Sequence, residues 1–545
     1  SYAPGVPFSL HYPDLPLFSL LEDAARNWGQ HTAAICFESQ TTYAQFLTRS
    51  HQFGHALTSL GVKRGDRVGI LLPNVPEYIV AACGTWMIGA TVVQMSPLLV
   101  EDEIRKLLEM TGCRVVVTLD MLSPPLVNLL GHGLLQQLIL TSLDQHLGML
   151  DRWLYPIELF RRGVPLRNGR NQVTIDFDKL LEAQPSHAPR ARVQPDRDAA
   201  IIQPTGGTTG SPKAVVLTHR NLLANVLQLK AWRNSPDGQD SLLAVLPFFH
   251  CYGLTVVMFT TIASAGTMVL CPRFKPRTVA KLIGRHRPNI LPGVPALYAA
   301  LNSYLKTHPI DLSSVELALS GASSLDAQVR REFEGHGIRK LVEAYGLSEA
   351  SPVTHCNPLQ QGDRPGTIGL PLPDTLARVV DLETGQHNLP PEQPGELVVR
   401  GPQVMAGYMD DAEATAQVIR DGWLFTGDIA TYDADGFFRI VDRKKDLIKT
   451  SGYNVFPIEV EEIIRQHPGV SDVAVVGVPD PARGELVKAF VILRPQSGIT
   501  VALLERFCQE RMAKHKQPRQ IELCDELPRN FLGKVLRRQL REDPR

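Results

Sequence analysis

The chain has no C-x-x-C spacing. Its eight cysteines (Cys36, Cys83, Cys113, Cys251, Cys271, Cys356, Cys508 and Cys524) are scattered, so neither a zinc site nor a disulfide framework is indicated, and a reducing cytoplasm fits best. Net charge is lacking too. Lys and Arg number 56, Asp and Glu number 56, and this balance argues against an overall electrostatic fit to nucleic acid. The first ten residues, S-Y-A-P-G-V-P-F-S-L, carry neither a basic n-region nor a long apolar h-region, so no signal peptide is expected in them. One long stretch free of Asp, Glu, Lys and Arg, 242–271, contains Pro247, His250 and Gly266. Gly266 divides it into a helix-length piece and a short strand at 267–270, which predicts a buried helix and strand rather than a membrane span. A Walker A loop is also missing. The Gly-rich segment ends G-S-P-K, with Ser211 and Pro212 between Gly210 and Lys213, and a strand-like run follows it.

What is present is an ordinary globular composition, 44% apolar and 21% charged, in a chain of 545 residues that is too long for one compact core. Thr42 followed by Gln45 is a capping-box pattern, and Tyr43, Phe46, Leu47, Phe53, Leu57 and Leu60 recur at helical spacing until Gly61. Buried strands are predicted at 68–72, 91–95 and 115–119, alternating with helices at 77–88 and 101–111; such repeats mean a doubly wound α/β structure. Between 145 and 194 the pattern weakens into a Pro- and Arg-rich connection with Trp153, Tyr155, Phe160, Arg161, Arg162, Arg167 and Arg170. A solvated insertion is one reading of it and a bilayer contact the other. After Pro373 the signals are shorter and β-like (377–380, 395–400, 437–441). The charged run V-D-R-K-K-D-L-I-K at 441–449 then precedes a block with helices at 458–467 and 501–512 and strands at 472–478 and 487–493, enough for a small α+β domain.

The stretch 201–219, I-I-Q-P-T-G-G-T-T-G-S-P-K-A-V-V-L-T-H, sets a Gly/Thr/Ser loop and a Lys between two β-branched runs. Such a loop can gather backbone N–H groups, hydroxyls and one ammonium around an oligophosphate, with Gly206, Gly207 and Gly210 allowing close approach and Thr205, Thr208, Thr209 and Ser211 supplying donors. Taken alone, G-G-T-T-G reads rather as a mobile surface loop.

The order of motifs around it resembles the adenylate-forming superfamily of acyl-CoA synthetases, luciferases and adenylation domains. After the loop come L-P-F-F-H (246–250), S-G-A (320–322), Y-G-L-S-E (345–349), G-E-L-V-V-R-G-P-Q-V-M-A-G-Y (395–408), W-L-F-T-G-D (423–428), D-R-K-K-D (442–446), S-G-Y-N-V-F-P-I-E-V-E (451–461) and N-F-L-G-K-V-L-R-R (530–538). The details look closest to bacterial long-chain fatty-acid-CoA ligases. Gly206 and Ala214 stand where the superfamily loop has Ser and Gly, and Ser348 stands where Thr is usual.

The resemblance implies a large multi-layered N-terminal domain of α/β and β subdomains (1–441), a hinge (442–449) and a small mobile α+β C-terminal domain (450–545) carrying the catalytic Lys. It implies Mg2+ as cofactor and a fatty acid, ATP and coenzyme A as partners, in a cytoplasmic or membrane-peripheral protein that is a monomer or homodimer. Glu349 would hold the metal, Lys213 the departing phosphates, Lys534 the carboxylate and α-phosphate, and Ser348 would donate to a phosphate oxygen. Asp428 and Arg443 would take the ribose. Ser320, Gly321 and Ala322, with Glu343, Ala344, Tyr345 and Gly346, would flank adenine. His250 and Gly253 would border the acyl pocket, Ser451, Gly452 and Tyr453 the pantetheine channel, and Lys445 would be the pivot. Rival readings are an amino-acid adenylation domain, disfavoured by the uncharged run His250 to Leu254, a fatty acyl-AMP ligase serving a carrier protein, and a non-catalytic acyl or nucleotide sensor.

Overall fold

The computed structural model describes residues 2–130, 133–161, 174–189, 191–205, 213–450, 453–481, 483–529 and 535–542. Two large sheets carry most of the chain. The first runs Gly407–Tyr408, Lys213–Thr218, Ala199–Thr205, Thr91–Gln94, Arg67–Leu71, Val115–Leu119, Gln137–Thr141, Thr174–Asp176 and is parallel from Ala199–Thr205 onward. Its inner strands are buried along their whole length, as Thr91–Gln94 and Val115–Leu119 show, which is why they read as continuous apolar runs without alternation. The second sheet has nine strands, with Leu341–Gly346, Leu317–Ser320, Ile290–Gly293, Ser241–Ala244 and Thr267–Leu270 in its parallel centre.

The helix Pro76–Met87 joins the two layers, and every one of its residues is buried. Trp86 Nε1 donates to the Ala200 carbonyl of the first sheet at 2.6 Å, and Tyr78 Oη donates to the Phe248 carbonyl, just beyond a strand of the second, at 3.0 Å. The helix therefore presents no solvent face, and even Glu77 in its first turn is buried. The neighbouring helix Tyr43–Ser59 starts at the capping box read from the sequence: Gln45 N–H donates to Thr42 Oγ1 at 3.3 Å and Thr42 N–H to Gln45 Oε1 at 2.8 Å.

The buried helix and strand expected in the charge-free stretch are both present: the helix is a π-helix, Tyr252–Phe259, continued by Thr260–Ala263, the strand is Thr267–Leu270, and a further strand, Ser241–Ala244, opens the stretch. The connection after residue 145 is not irregular throughout. It contains the helix Met149–Arg161 with Pro156 inside, then the strand Thr174–Asp176 and the helix Phe177–Glu182. Tyr155 leaves the exposed set, because it is buried and donates to Asp120 Oδ1 at 2.6 Å. Arg162, Arg167 and Arg170 lie outside the described residues, as does the Phe160 side chain.

An antiparallel sheet follows, built on Leu376–Val380, Gly395–Arg400, Trp423–Tyr432 and Phe438–Arg443. From Ile448 onward the chain forms a separate sheet in which the long strands Val470–Asp480 and Gly484–Leu493 pair antiparallel and the helices Pro457–Arg465 and Val501–Arg511 pack with them. Ile448, Val460, Ile464, Val475, Val491 and Leu504 belong to its own core.

Candidate active site

Antiparallel pairing of Trp423–Tyr432 with Phe438–Arg443 sets Asp428 directly opposite Arg443. Arg443 Nε lies 3.0 Å from Asp428 Oδ1, and Tyr345 Oη donates to Asp428 Oδ2 at 2.5 Å. The carboxylate is only 4% exposed, and its charge strengthens the proton on Arg443. Burial first, and Asp428 next, push the Tyr345 hydroxyl well above its ordinary value, so it stays a donor. A carboxylate offers about four lone-pair sites; two are engaged here and two remain for a vicinal diol.

Tyr345 projects from the strand Leu341–Gly346, whose neighbour Leu317–Ser320 places Ser320 opposite Glu343. The turn Gly321–Ala322 follows, with Ala322 at φ 71°, and a Cβ on Gly321 would come within 2.9 Å of the Tyr252 ring. Glu343 serves its own loops: its carboxylate accepts the Gly366 N–H at 2.9 Å and the Leu325 N–H at 3.4 Å. Ala344 pairs with Cys356 across the strand, and a side chain at Gly346 would sit 2.1 Å from the Pro352 carbonyl.

In the Gly- and Thr-rich loop Gly206, Gly207, Thr208, Thr209 and Gly210 lie outside the described residues. The strands flanking them are paired, Thr205 opposite Lys213, with Thr205 Oγ1 donating to the Lys213 carbonyl at 3.1 Å. Lys213 Nζ stands 4.7 Å from the centre of the Tyr408 ring, and Tyr408 Oη donates to Glu349 Oε1 at 2.9 Å. Glu349 and Ser348 share a single 3-10 turn, Ser348–Ala350, held by the Met405 N–H on the Glu349 carbonyl at 2.8 Å. Among the described residues no cluster of three His, Cys, Asp or Glu forms a metal cage. A lone carboxylate suits a hard cation that takes its other ligands from phosphates and water, as Mg2+ does.

Burial lowers the His250 imidazole to about 4, so it is neutral near pH 7. Its carbonyl accepts the Leu254 N–H at 2.8 Å as the π-helix starts. Gly253 permits that start, since a Cβ there would lie 2.0 Å from the Pro247 carbonyl oxygen. Tyr252 reaches the Gly293 and Leu319 carbonyls at 3.3 and 3.4 Å. A cavity of about 410 Å3 bordered by Gln40, Arg49, Glu77 and His146 lies apart from these groups; there the buried Glu77 and His146 pair at 3.1 Å and fasten a hairpin to the central helix.

Lys445 occupies the 3-10 turn Lys444–Asp446. On one side Lys444 Nζ pairs with Glu396 of the antiparallel sheet at 2.6 Å; on the other Asp446 meets Arg541 at 3.2 Å and Arg537 at 3.7 Å. Asp442 accepts the Ile458 N–H at 2.9 Å, at the start of the helix Pro457–Arg465, and burial raises its carboxyl to about 6. Tyr453 is 56% exposed and stacks on His515 with centroids 4.5 Å apart. Ser451, Gly452 and Lys534 lie outside the described residues. Tyr408 was missed as a site residue by sequence reasoning; its only signal is that it closes the motif G-P-Q-V-M-A-G-Y.

The chain matches the AMP-binding enzyme profile over residues 21–409 and that of the AMP-binding enzyme C-terminal domain over 459–534. It is 39% identical to a long-chain-fatty-acid–CoA ligase of Bacillus subtilis, over 99% of this chain and 97% of that one, and 34% identical to one of Escherichia coli O6:H1, over 97% and 94%. The crystal structure of ATP-bound MatB from Rhodopseudomonas palustris superposes with a TM-score of 0.83 at 29% identity, covering 97% of this chain and 99% of that one. Profile match, near full-length identity and shared architecture agree: the chain belongs to the AMP-binding, adenylate-forming enzyme family.

Proposed function

We propose that this protein is an AMP-forming fatty-acid–CoA ligase, which joins a fatty acid to ATP as acyl-AMP with release of pyrophosphate and then passes the acyl group to coenzyme A. The observation that carries the reading is the pair of clusters described above, Asp428 with Arg443 and Tyr345, and Glu349 with Tyr408 and Lys213. The first suits a ribose diol and the second an oligophosphate. The carboxylate oxygen attacks the α-phosphorus, forming one P–O bond as the bond to pyrophosphate breaks. Two anions about 4 Å apart repel by roughly 4 kcal/mol at an effective dielectric near 20, so positive charge is required. Lys213 supplies it beside the departing phosphates, and Lys534 between carboxylate and α-phosphate. Glu349 would hold Mg2+, which would supply further positive charge to the phosphates. Ser348 donates to a phosphate oxygen. The CoA sulfur then attacks the acyl carbon, and AMP leaves with the bridging oxygen. That step requires the small domain to turn about Lys445, bringing Ser451, Gly452 and Tyr453 to the pantetheine arm.

The buried, uncharged run from Phe248 through the π-helix is the stretch we assign to an apolar chain. Each buried CH2 is worth about 0.8 kcal/mol. Pyrophosphate release is therefore expected to climb with chain length toward palmitate, and acetate, benzoate and amino acids should be poor substrates. Maximal kcat/KM on acetate or an amino acid contradicts the reading. An acceptor assay separates coenzyme A from a carrier protein.

Peripheral attachment to an anionic bilayer is part of the proposal. Among the described residues no helix is long and apolar enough to cross a membrane. The helix Met149–Arg161 instead exposes Met149 (90%), Trp153 (77%) and Ile157 at four-residue spacing, with Leu154 beside them and Arg152 and Arg161 exposed nearby. Co-sedimentation with phosphatidylglycerol vesicles should occur at low salt, fade as salt is raised, and fall several-fold in Trp153→Glu. No sedimentation of the wild type at low salt contradicts it.

A further inference from the structure

Tyr408 ends a two-residue strand fixed on the phosphate-loop hairpin. Gly407 and Tyr408 pair with Val216 and Val215, the Met409 N–H donates to the Ala214 carbonyl at 2.8 Å, and the Tyr408 N–H donates to Thr415 Oγ1 at 2.9 Å. With its backbone held on both sides, the side chain has one place to go. It lies between two groups of opposite charge from different parts of the chain, its hydroxyl on Glu349 Oε1 and its ring face under the Lys213 ammonium.

We propose that Tyr408 is a positioning residue that keeps Glu349 and Lys213 apart and aligned for an oligophosphate, a role that rests on the ATP-dependent reading above. Its hydroxyl occupies Oε1 and so presents Oε2 to the cation. Its ring holds the ammonium at cation–π distance, from which Lys213 turns to the phosphates when they arrive. Without the ring the two charges attract across the gap, and an ion pair between them withdraws both from the nucleotide.

Tyr408→Phe keeps the ring and removes the hydroxyl; Tyr408→Leu removes both. Calorimetric binding of ATP in EDTA and of ATP with Mn2+, together with Mg2+ titration of palmitate-dependent pyrophosphate release, separates the two functions. Tyr408→Phe should bind metal-free ATP within about twofold of wild type, yet bind ATP with Mn2+ about tenfold more weakly and need about tenfold more Mg2+, the effect of losing a hydrogen bond to a charged group. Tyr408→Leu should weaken metal-free ATP as well, and that added loss should vanish in the Lys213→Ala background, because it acts through Lys213. The proposal is overturned if Tyr408→Phe leaves the metal dependence unchanged, or if it weakens metal-free and Mn2+-loaded ATP binding equally, as a merely structural residue would. A wild type that binds no ATP overturns the ligase reading and this role with it; a wild type that releases pyrophosphate normally beside an unaffected Tyr408→Phe overturns this role alone.

Discussion

Lys534→Ala is expected to slow acyl-AMP formation by about a hundredfold or more while leaving the reaction of preformed acyl-AMP with coenzyme A near its normal rate. Removing a single group that stabilises developing charge in a dry site costs on the order of 10²–10³ in rate. The charge is needed only while a carboxylate approaches a polyanion. Once pyrophosphate has left, the acyl adenylate presents no second anion to reconcile, so an interaction made only in the first transition state should disappear from the first step alone. Single-turnover assays of each half-reaction check this. Equal loss in both would mean that Lys534 supports the fold or both steps alike.

Lys445→Pro should give the opposite pattern, with pyrophosphate release retained and thioester formation depressed by about a hundredfold or more. The reason is where the turn Lys444–Asp446 is pinned. Lys444 is tied to Glu396 of the antiparallel sheet, while Asp446 is tied to Arg541 and Arg537 of the helix Arg537–Glu542, which packs on the strand Val470–Asp480, so Lys445 lies between two anchored flanks. A rotation of one body against the other must pass through its backbone angles. Proline fixes φ near −65° and also restricts the preceding residue, so a pivot that needs two states is confined to one. The arrangement described here, with Asp442 accepting the Ile458 N–H across that pivot, is the one expected to be retained. If both half-reactions fall equally in Lys445→Pro, the small domain is a fixed lid.

How much of this was legible in the amino-acid sequence depends on whether the signal was local. Thr42 and Gln45 are three residues apart and their reciprocal bonds are a property of one turn, so the start of the helix Tyr43–Ser59 could be read directly. The strand Val115–Leu119 and the helix Glu101–Thr111 were legible for the same reason, a short apolar run and a Gly-terminated amphipathic stretch. The π-helix was not, because nothing in apolar periodicity distinguishes it from an α-helix. Tyr155 was grouped with Trp153 and Phe160 as an aromatic for bilayer contact, because its partner Asp120 is remote in sequence. In the site, Asp428 and Arg443 were legible through their motifs, but their bond depends on strand register. Tyr345 on Asp428 and Tyr408 on Glu349 join residues 83 and 59 positions apart, and only the folded sheets bring them together.

The central claim is that the carboxylate itself becomes bonded to the α-phosphorus before the thiol arrives, and oxygen transfer tests it. Palmitate labelled with ¹⁸O in both carboxylate oxygens is incubated with the enzyme, ATP and coenzyme A, and the products are weighed by mass spectrometry. The account predicts one ¹⁸O in AMP and one in palmitoyl-CoA, because the oxygen that attacks phosphorus stays on the phosphate when the sulfur displaces it. Unlabelled AMP, or label appearing instead in pyrophosphate or inorganic phosphate, would contradict it.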